Sequence, residues 1–258
     1  MHSEATGDLR KVQLLQLQLL IEIDRLCKLN NLTYYIIAGT LLGAVRHGGF
    51  IPWDSDIDIA MFREDYEKLI KNGNRQIDSK FFIQSDYSEN NHQLSFARVR
   101  ANDTMLVEKG NKVTGCHQGF YLDIFPLDDI IGEPNHLEYY GAKILKLLQR
   151  VKAYRYGKIY STTFTRTAIA TILTGLTIVF PKKSISSFIE KRMTKANKKG
   201  YSFVTNYCSK YGILKQFMNK EVYGKPIEIE FEGRKFWAPN KYLYWLERIY
   251  GDYQKIPD

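Results

Sequence analysis

Apolar positions crowd the stretch from Leu9 to Leu26, where Val12, Leu15, Leu19, Ile23 and Leu26 are joined by Leu14, Leu17, Leu20 and Ile21. A pattern that dense predicts a helix packed on more than one side, with its polar residues on a partly exposed face. Asn30 and Asn31 break it, and Tyr34 to Ala38 reads as a short buried strand ending at Gly39. Leu41 to Arg46 then has room for one or two helical turns. His47 to Pro52, with Gly48, Gly49 and Pro52, predicts a loop returning the chain to a second strand, Ile57 to Met61, beside the first. Further runs predict strands at Phe81 to Gln84, Leu94 to Val99, Met105 to Val107 and Tyr121 to Phe125, making a small mixed sheet.

After Pro134 the periodicity changes. Leu137 to Arg150, Thr167 to Phe180, Ile185 to Ala196 and Tyr242 to Tyr250 predict helices, with one hairpin around Ile227 to Phe236. The patterns give an α+β fold, with a mixed-sheet core flanked by helices over residues 1–134 and a helical lobe over residues 135–258. No internal repeat or low-complexity linker divides them, so the lobe is expected to pack on the core.

With 44% hydrophobic and 25% charged residues, the 258-residue chain has the composition of a globular protein with ample core, which excludes disorder as the default. Its formal net charge of +9 points to an anionic partner: nucleic acid, a nucleotide or an acidic membrane leaflet. No basic stripe interleaved with stacking aromatics lies near the acidic motif described below, so nucleic acid is not the expected partner. Cys27, Cys116 and Cys208 are odd in number and widely separated, which fits a reducing cytoplasm rather than a disulfide framework or a four-cysteine zinc site. No secretory signal is read at the start, where acidic residues precede any apolar stretch. The weakly polar run Ala168 to Phe180 is 13 residues long, and a helix of that length reaches only about 20 Å, too short to span a bilayer. It is followed by Lys182, Lys183, Lys191, Arg192, Lys195, Lys198 and Lys199. Two readings fit equally: peripheral docking on an anionic membrane, or a core helix followed by a solvated basic helix.

The chemistry centres on Trp53-Asp54-Ser55-Asp56-Ile57-Asp58-Ile59. Alternate side chains on a strand share a face, so Asp56 and Asp58 point together while Ile57 and Ile59 enter apolar packing. Asp54 shares their parity nearer the loop. Carboxylates about 7 Å apart at the backbone repel unless something positive lies between them, and magnesium, a hard oxygen-seeking cation, meets that need. A solvated acidic turn is the plainer alternative. Upstream, Ala38-Gly39-Thr40-Leu41-Leu42-Gly43 passes from strand to helix at a glycine, where backbone N–H groups with Thr40 as cap would hold phosphate oxygens. Asp123, alone among large apolar residues in Tyr121 to Phe125, needs a partner, either a metal or an arginine or backbone amide. Asp128 and Asp129, just after Pro126, read as an exposed turn. Arg46 and Arg100 are fixed cations suited to phosphate, or else surface residues or partners of carboxylates. His47 reads as loop structure, and Cys116 with His117 has no second pair at zinc spacing. Among Tyr207, Tyr211, Tyr223, Trp237, Tyr242, Tyr244 and Trp245, a choline cage by cation–π attraction competes with ordinary packing.

Gly39 to His47, Gly49 to Asp58 and Asp123 to Asp128 resemble the LicD family, with weaker echoes at Arg100 to Thr104 and Tyr250 to Tyr253. The resemblance implies a nucleotidyltransferase-like fold. It implies metal-dependent transfer of phosphocholine or a related phospho-alditol from a CDP-linked donor to a sugar hydroxyl of a cell-surface glycan or teichoic acid precursor. Carried over by position, Asp56, Asp58 and Asp123 are the catalytic, metal-binding carboxylates for Mg2+ or Mn2+. Gly39, Thr40, Arg46 and Arg100 become donor-binding residues. Ser55 departs from the third consecutive Asp of bacterial members, and its opposite strand parity is expected to spare the metal site. The acceptor would be a glycan or lipid-linked glycan, met in the cytoplasm or at the inner face of the membrane. Such chemistry brings a hydroxyl to a phosphoanhydride while charge builds on the leaving nucleotide, which carboxylate-held cations stabilise. A metal-dependent glycosyltransferase using a sugar nucleotide would employ the same acids, but the Gly39-Thr40 turn disfavours it. A basic nucleic-acid-binding module rests on charge alone, and the intact acidic set argues against an inactive scaffold.

Overall fold

The computed structural model describes residues 7–106, 115–156 and 181–255, with scattered positions 168, 171, 172, 175 and 179. The helix expected over Thr167 to Phe180, most of the apolar run from Ala168, and the end of the strand expected at Val107 lie outside the described residues.

The opening helix α1 spans Gly7–Leu29 and buries Leu19, Leu20, Ile23, Leu26 and Cys27, as its dense pattern predicts. The short strand β1 (Tyr35–Ile36) pairs antiparallel with β2 (Asp58–Phe62), so the two segments flanking the glycine loop do lie side by side. Between them runs α2 (Ala38–His47), closed by Gly48 in the left-handed region, whose N–H bonds back to Ala44 and Gly43 carbonyls. That is the usual glycine stop for a helix, because only glycine takes this conformation at no steric cost. Helix α3 (Arg63–Asn72) follows β2 directly, then come β3 (Phe81–Gln84), β4 (Ala97–Ala101) and β5 (Tyr121–Ile130).

The main sheet runs β1-β2-β5-β4-β3, and only the β2–β5 pair is parallel. Strand β5 continues well past Phe125. It pairs with β4 through Ile124 and, from Asp128 onward, with β6 (Phe203–Thr205), which in turn pairs with β7 (Met218–Asn219). Pro126 therefore falls where that edge of β5 changes partners and has no neighbour strand, the position a strand proline tolerates.

Helix α4 (His136–Arg155), started by an Asn135–Glu138 capping box, packs on α5 (Lys182–Met193) through Leu145, Ile185, Ile189 and Met193. The short helices α6 (Ile213–Gln216) and α7 (Lys220–Tyr223) lead to the hairpin β8 (Ile227–Phe231) and β9 (Arg234–Ala238), and α8 spans Tyr242–Tyr250. Phe231, Phe236, Trp245 and Ile249 belong to the same core as Leu19, Ile36 and Ile59, so late and early parts of the chain bury one another. Trp245 donates to the Tyr223 hydroxyl at 3.1 Å within this core. Of the residues considered for a choline cage, Tyr223 and Trp245 thus serve packing, and Trp237 stacks on Tyr34.

Candidate active site

The sheet register builds the centre of the site. Asp58 on β2 lies opposite Asp123 on β5, and Asp123 lies opposite Arg98 on β4, so three charged residues form one row across three strands. Tyr121 and Arg100 form the row two residues on, on the same face. Arg98 Nε donates to Asp123 Oδ1 at 2.6 Å, and its guanidinium lies 3.5 Å from the centre of the Tyr121 ring. The arginine partner anticipated as one option for Asp123 is thus present, and it is a residue whose sequence position carried no signal. Arg100 is buried and turned into the sheet, donating from Nε to Gln84 Oε1 at 2.8 Å and from Nη1 to the Gly119 carbonyl at 2.7 Å.

The loop before β2 brings in two more acids. The Asp54 and Asp56 carboxyls come within hydrogen-bonding reach of one another. Burial first, then Asp56, pushes the Asp54 carboxyl up to about 7. Burial, followed by repulsion from Asp56, Asp123 and Asp54, raises the Asp58 carboxyl well above the ordinary carboxylate range, and Lys210 works against this. Burial also raises Asp123, opposed by Arg98 and Arg100. Four carboxyl groups therefore crowd one another with too little positive charge between them.

Why the loop holds this shape is visible in its backbone partners. Gln13 Nε2 on α1 donates to the Asp54 carbonyl at 2.8 Å, and Gln16 Nε2 donates to the Ser55 carbonyl at 2.5 Å and the Tyr121 carbonyl at 3.2 Å. Both glutamines are buried on a helix face that their polarity alone would assign to solvent. Asp54 sits over Gly39, where an added Cβ would meet its carboxylate oxygen, so a larger residue there would have to displace the acid. Thr40 is not the helix cap. The N-cap position is Ile37, no side chain caps α2, and the Thr40 hydroxyl accepts from Asp58 N at 2.9 Å, tying the helix to the acid strand. The first N–H groups of α2 keep no partner inside the helix, as at any helix start. Ser55 is exposed, its carbonyl accepting from Gln16 and its N–H donating to Asp54 Oδ1 at 3.0 Å.

Residues far along the chain close the site. Lys210 acts on both Asp54 and Asp58, and Tyr250, raised first by burial, feels Asp58 and Asp54 and accepts the Tyr211 hydroxyl's bond at 3.0 Å. Arg46 lies at the end of α2 and donates from Nη1 to the Tyr253 carbonyl at 3.1 Å, which joins the Gly39–His47 segment to the Tyr250–Tyr253 segment. The turn of the β8–β9 hairpin fixes the other side. Glu232 accepts from Phe50 N at 3.0 Å and pairs with Arg10 at 2.7 Å. Asp128 and Asp129 correct the exposed-turn expectation. Asp128 is fully buried with Arg63 at 2.7 Å on each oxygen and Asn197 at 2.8 Å, and Asp129 pairs with Lys220 at 2.7 Å, because β5 runs on through them.

The profile of the family described as "LicD/FKTN/FKRP, nucleotidyltransferase domain" matches residues 31–139. The lipopolysaccharide cholinephosphotransferase LicD of Haemophilus influenzae is 30% identical over 259 aligned positions, covering 96% of this chain and 92% of that protein. The chain belongs to the LicD family. It is a LicD-like phosphotransferase, and its mixed sheet with flanking helices is consistent with the nucleotidyltransferase-like LicD fold. A ribitol 5-phosphate transferase FKRP of Mus musculus is 34% identical over 73 residues, 23% of this chain and 15% of that one. An uncharacterized protein of Rickettsia prowazekii is 52% identical over 48 residues, 19% of this chain and 18% of its own. Among the described residues of this LicD-family chain, no three His, Cys, Asp or Glu side chains already converge as a metal cage.

Proposed function

We propose that this chain transfers phosphocholine, or a related phospho-alditol, from a CDP-linked donor to a sugar hydroxyl of a cell-surface glycan or its lipid-linked precursor. The observation that carries this reading is the acid cluster itself. Asp58 stands beside Asp56, Asp54 and Asp123, with Lys210 acting on Asp58 and Asp54 and Arg98 paired to Asp123. All-oxygen donors gathered on one side of the sheet suit a hard divalent ion, so the chemistry of the set fits Mg2+ or Mn2+, although among the described residues no three of them are closed into a cage. Asp56, Asp58 and Asp123 would hold that ion, which when bound supplies Lewis acidity at the transferred phosphoryl group. The relatives' names support the headgroup class, one being a cholinephosphotransferase and another a ribitol 5-phosphate transferase.

The remaining roles belong to the chain's own residues. Gly39 lets the backbone at the start of α2 come close to the acids, and its N–H groups together with Arg46 would bind donor phosphates. Thr40 sets the position of Asp58 through its backbone amide. Arg98 orients Asp123, while Arg100, held by Gln84 and Gly119, adds a fixed positive field behind it. We assign residues 1–134 to the catalytic core and residues 135–258 to the lobe that faces the acceptor, with Lys210 reaching from that lobe to the acids.

Among the described residues no helix is long and apolar enough to cross a membrane. The exposed cations of α5 and the segment after it, Lys183, Lys191, Arg192, Lys195, Lys198 and Lys199, support peripheral contact with an anionic leaflet on the cytoplasmic side, each adding about 1 kcal/mol. One experiment tests the assignment. Protein, magnesium and CDP-choline, CDP-glycerol or CDP-ribitol are combined with a glycan acceptor on anionic vesicles, and CMP release and co-sedimentation are read together. Metal-dependent CMP release with one of the three donors, by protein that pellets at low salt, is expected. No release from any donor overturns the transferase assignment, and protein left in the supernatant overturns only the membrane contact.

A further inference from the structure

A cleft of about 1110 Å³ lies between α4, the segment 206–215 and the segment 93–96. Five cations line it, Lys143, Lys146, Arg150, Lys210 and Lys215, and among the described residues its wall contains no Asp or Glu. Among the described residues no carboxylate pairs with these charges. Lys146 donates to the Ser209 carbonyl, Lys215 donates to the Ile249 carbonyl at 2.8 Å, and Lys143 lies over the Tyr139 ring at 4.3 Å. Burial lowers the Lys146 ammonium below its ordinary value, with Arg150 adding to the effect. On a surface of mixed charge such a one-signed concave wall focuses a positive field and raises the local concentration of anions. Lys210 relates the cleft to the acid cluster, because it both lines the cleft and acts by its charge on Asp54 and Asp58, although none of the four acids is part of the wall.

Size narrows the ligand further. Pockets for single small molecules run from roughly 300 to 1,000 Å³, so this cleft, at the top of that range, has space for more than one headgroup. Phe96, Tyr154 and Tyr211 add aromatic side chains to the same wall, a surface type that sugar rings pack against. The donor-phosphate groups assigned above, the start of α2 and Arg46, are not part of its wall.

We propose that the cleft is the acceptor subsite and that it selects an acceptor already carrying phosphate or phosphodiester groups over a neutral glycan. This rests on the transferase reading, but its test needs neither turnover nor metal. A fluorescein-labelled glycerol-phosphate hexamer is titrated with the full chain in EDTA and without donor, and anisotropy is read. The wild type should bind it, more weakly as salt rises. The exposed double variant Lys143→Gln/Arg150→Gln should bind about tenfold more weakly at an unchanged thermal midpoint, and Lys143→Arg/Arg150→Lys should bind as the wild type does. Neither maltohexaose nor CDP-choline should displace the hexamer. Absence of binding, or equal binding by wild type and the Gln variant, overturns the subsite. Displacement by maltohexaose overturns the demand for phosphate, and displacement by CDP-choline gives the cleft to the donor. A protein that binds the hexamer but releases no CMP from any donor leaves the subsite standing and removes the transferase reading alone.

Discussion

Strand β5 buries acids at both of its ends and treats them in opposite ways. At the C-terminal end Asp128 meets Arg63 through two bonds of 2.7 Å with Asn197 beside them, and Asp129 meets Lys220. Burial disfavours the Arg63 charge, but Asp128 more than offsets this and raises the group above its ordinary value. At the N-terminal end Asp123 has Arg98, yet Asp58, Asp56 and Asp54 press on the same space. A buried charge matched by its own partner is structure. Charges crowded beyond their partners are a cost the fold carries, and such a cost persists where a ligand relieves it.

The largest effect that sharpens this contrast is on rate. Asp58→Asn, isosteric and uncharged, should lower CMP release by about a thousandfold, roughly 4 kcal/mol in the barrier. It should also leave the thermal midpoint in EDTA equal to or above that of the wild type, since a repulsion has been removed. Turnover within tenfold of wild type, or a clear fall in the midpoint, would show that Asp58 is a structural acid like Asp128.

At the matched end the loss should be of stability. Arg63→Ala leaves Asp128 buried without its bidentate partner, and denaturant unfolding should report a loss of about 3–5 kcal/mol. A loss below about 1 kcal/mol would mean that Asn197 and penetrating water satisfy Asp128, and the two ends of β5 would no longer differ in kind. A smaller effect probes what holds the unmatched acids in place. Gln16→Leu strips a donor from the Ser55 and Tyr121 carbonyls, which should cost about 1–3 kcal/mol and reduce turnover further than that stability loss explains. Unaltered turnover in a destabilised Gln16→Leu protein would assign the glutamine to the fold alone.

Much of this site could be read from residues close in sequence. The alternation of Asp56 and Asp58 with isoleucines, the adjacency of the strands around the glycine loop, and the lone acid in the apolar run at Asp123 are local patterns. Arg98 escaped because its partnership depends on the β4–β5 register, and the strand expected from Leu94 proved to begin at Ala97. Lys210 and Tyr211 lie too far along the chain for any spacing rule. Gln13 and Gln16 look like the polar side of a helix, whose burial makes sense only once the loop carbonyls they serve are known. The cap at Thr40 failed for a different reason. Its hydroxyl found a tertiary acceptor role with Asp58 N, which outweighed the local one.

The clasp formed by Glu232 has a consequence for timing. It joins residues 222 positions apart at Arg10 and 182 apart at Phe50. A chain emerging from the ribosome carries every acid of the cluster once Asp123 has been made, at a synthesis rate of roughly 5–20 residues per second. The turn that braces their loop arrives only with Glu232, well after Asp123, and contacts of such separation form late. Until then the glycine loop lacks its brace. The nascent polypeptide thus holds the acids in composition before it holds them in geometry, and their ordering waits on the arrival of a hairpin remote from them in sequence.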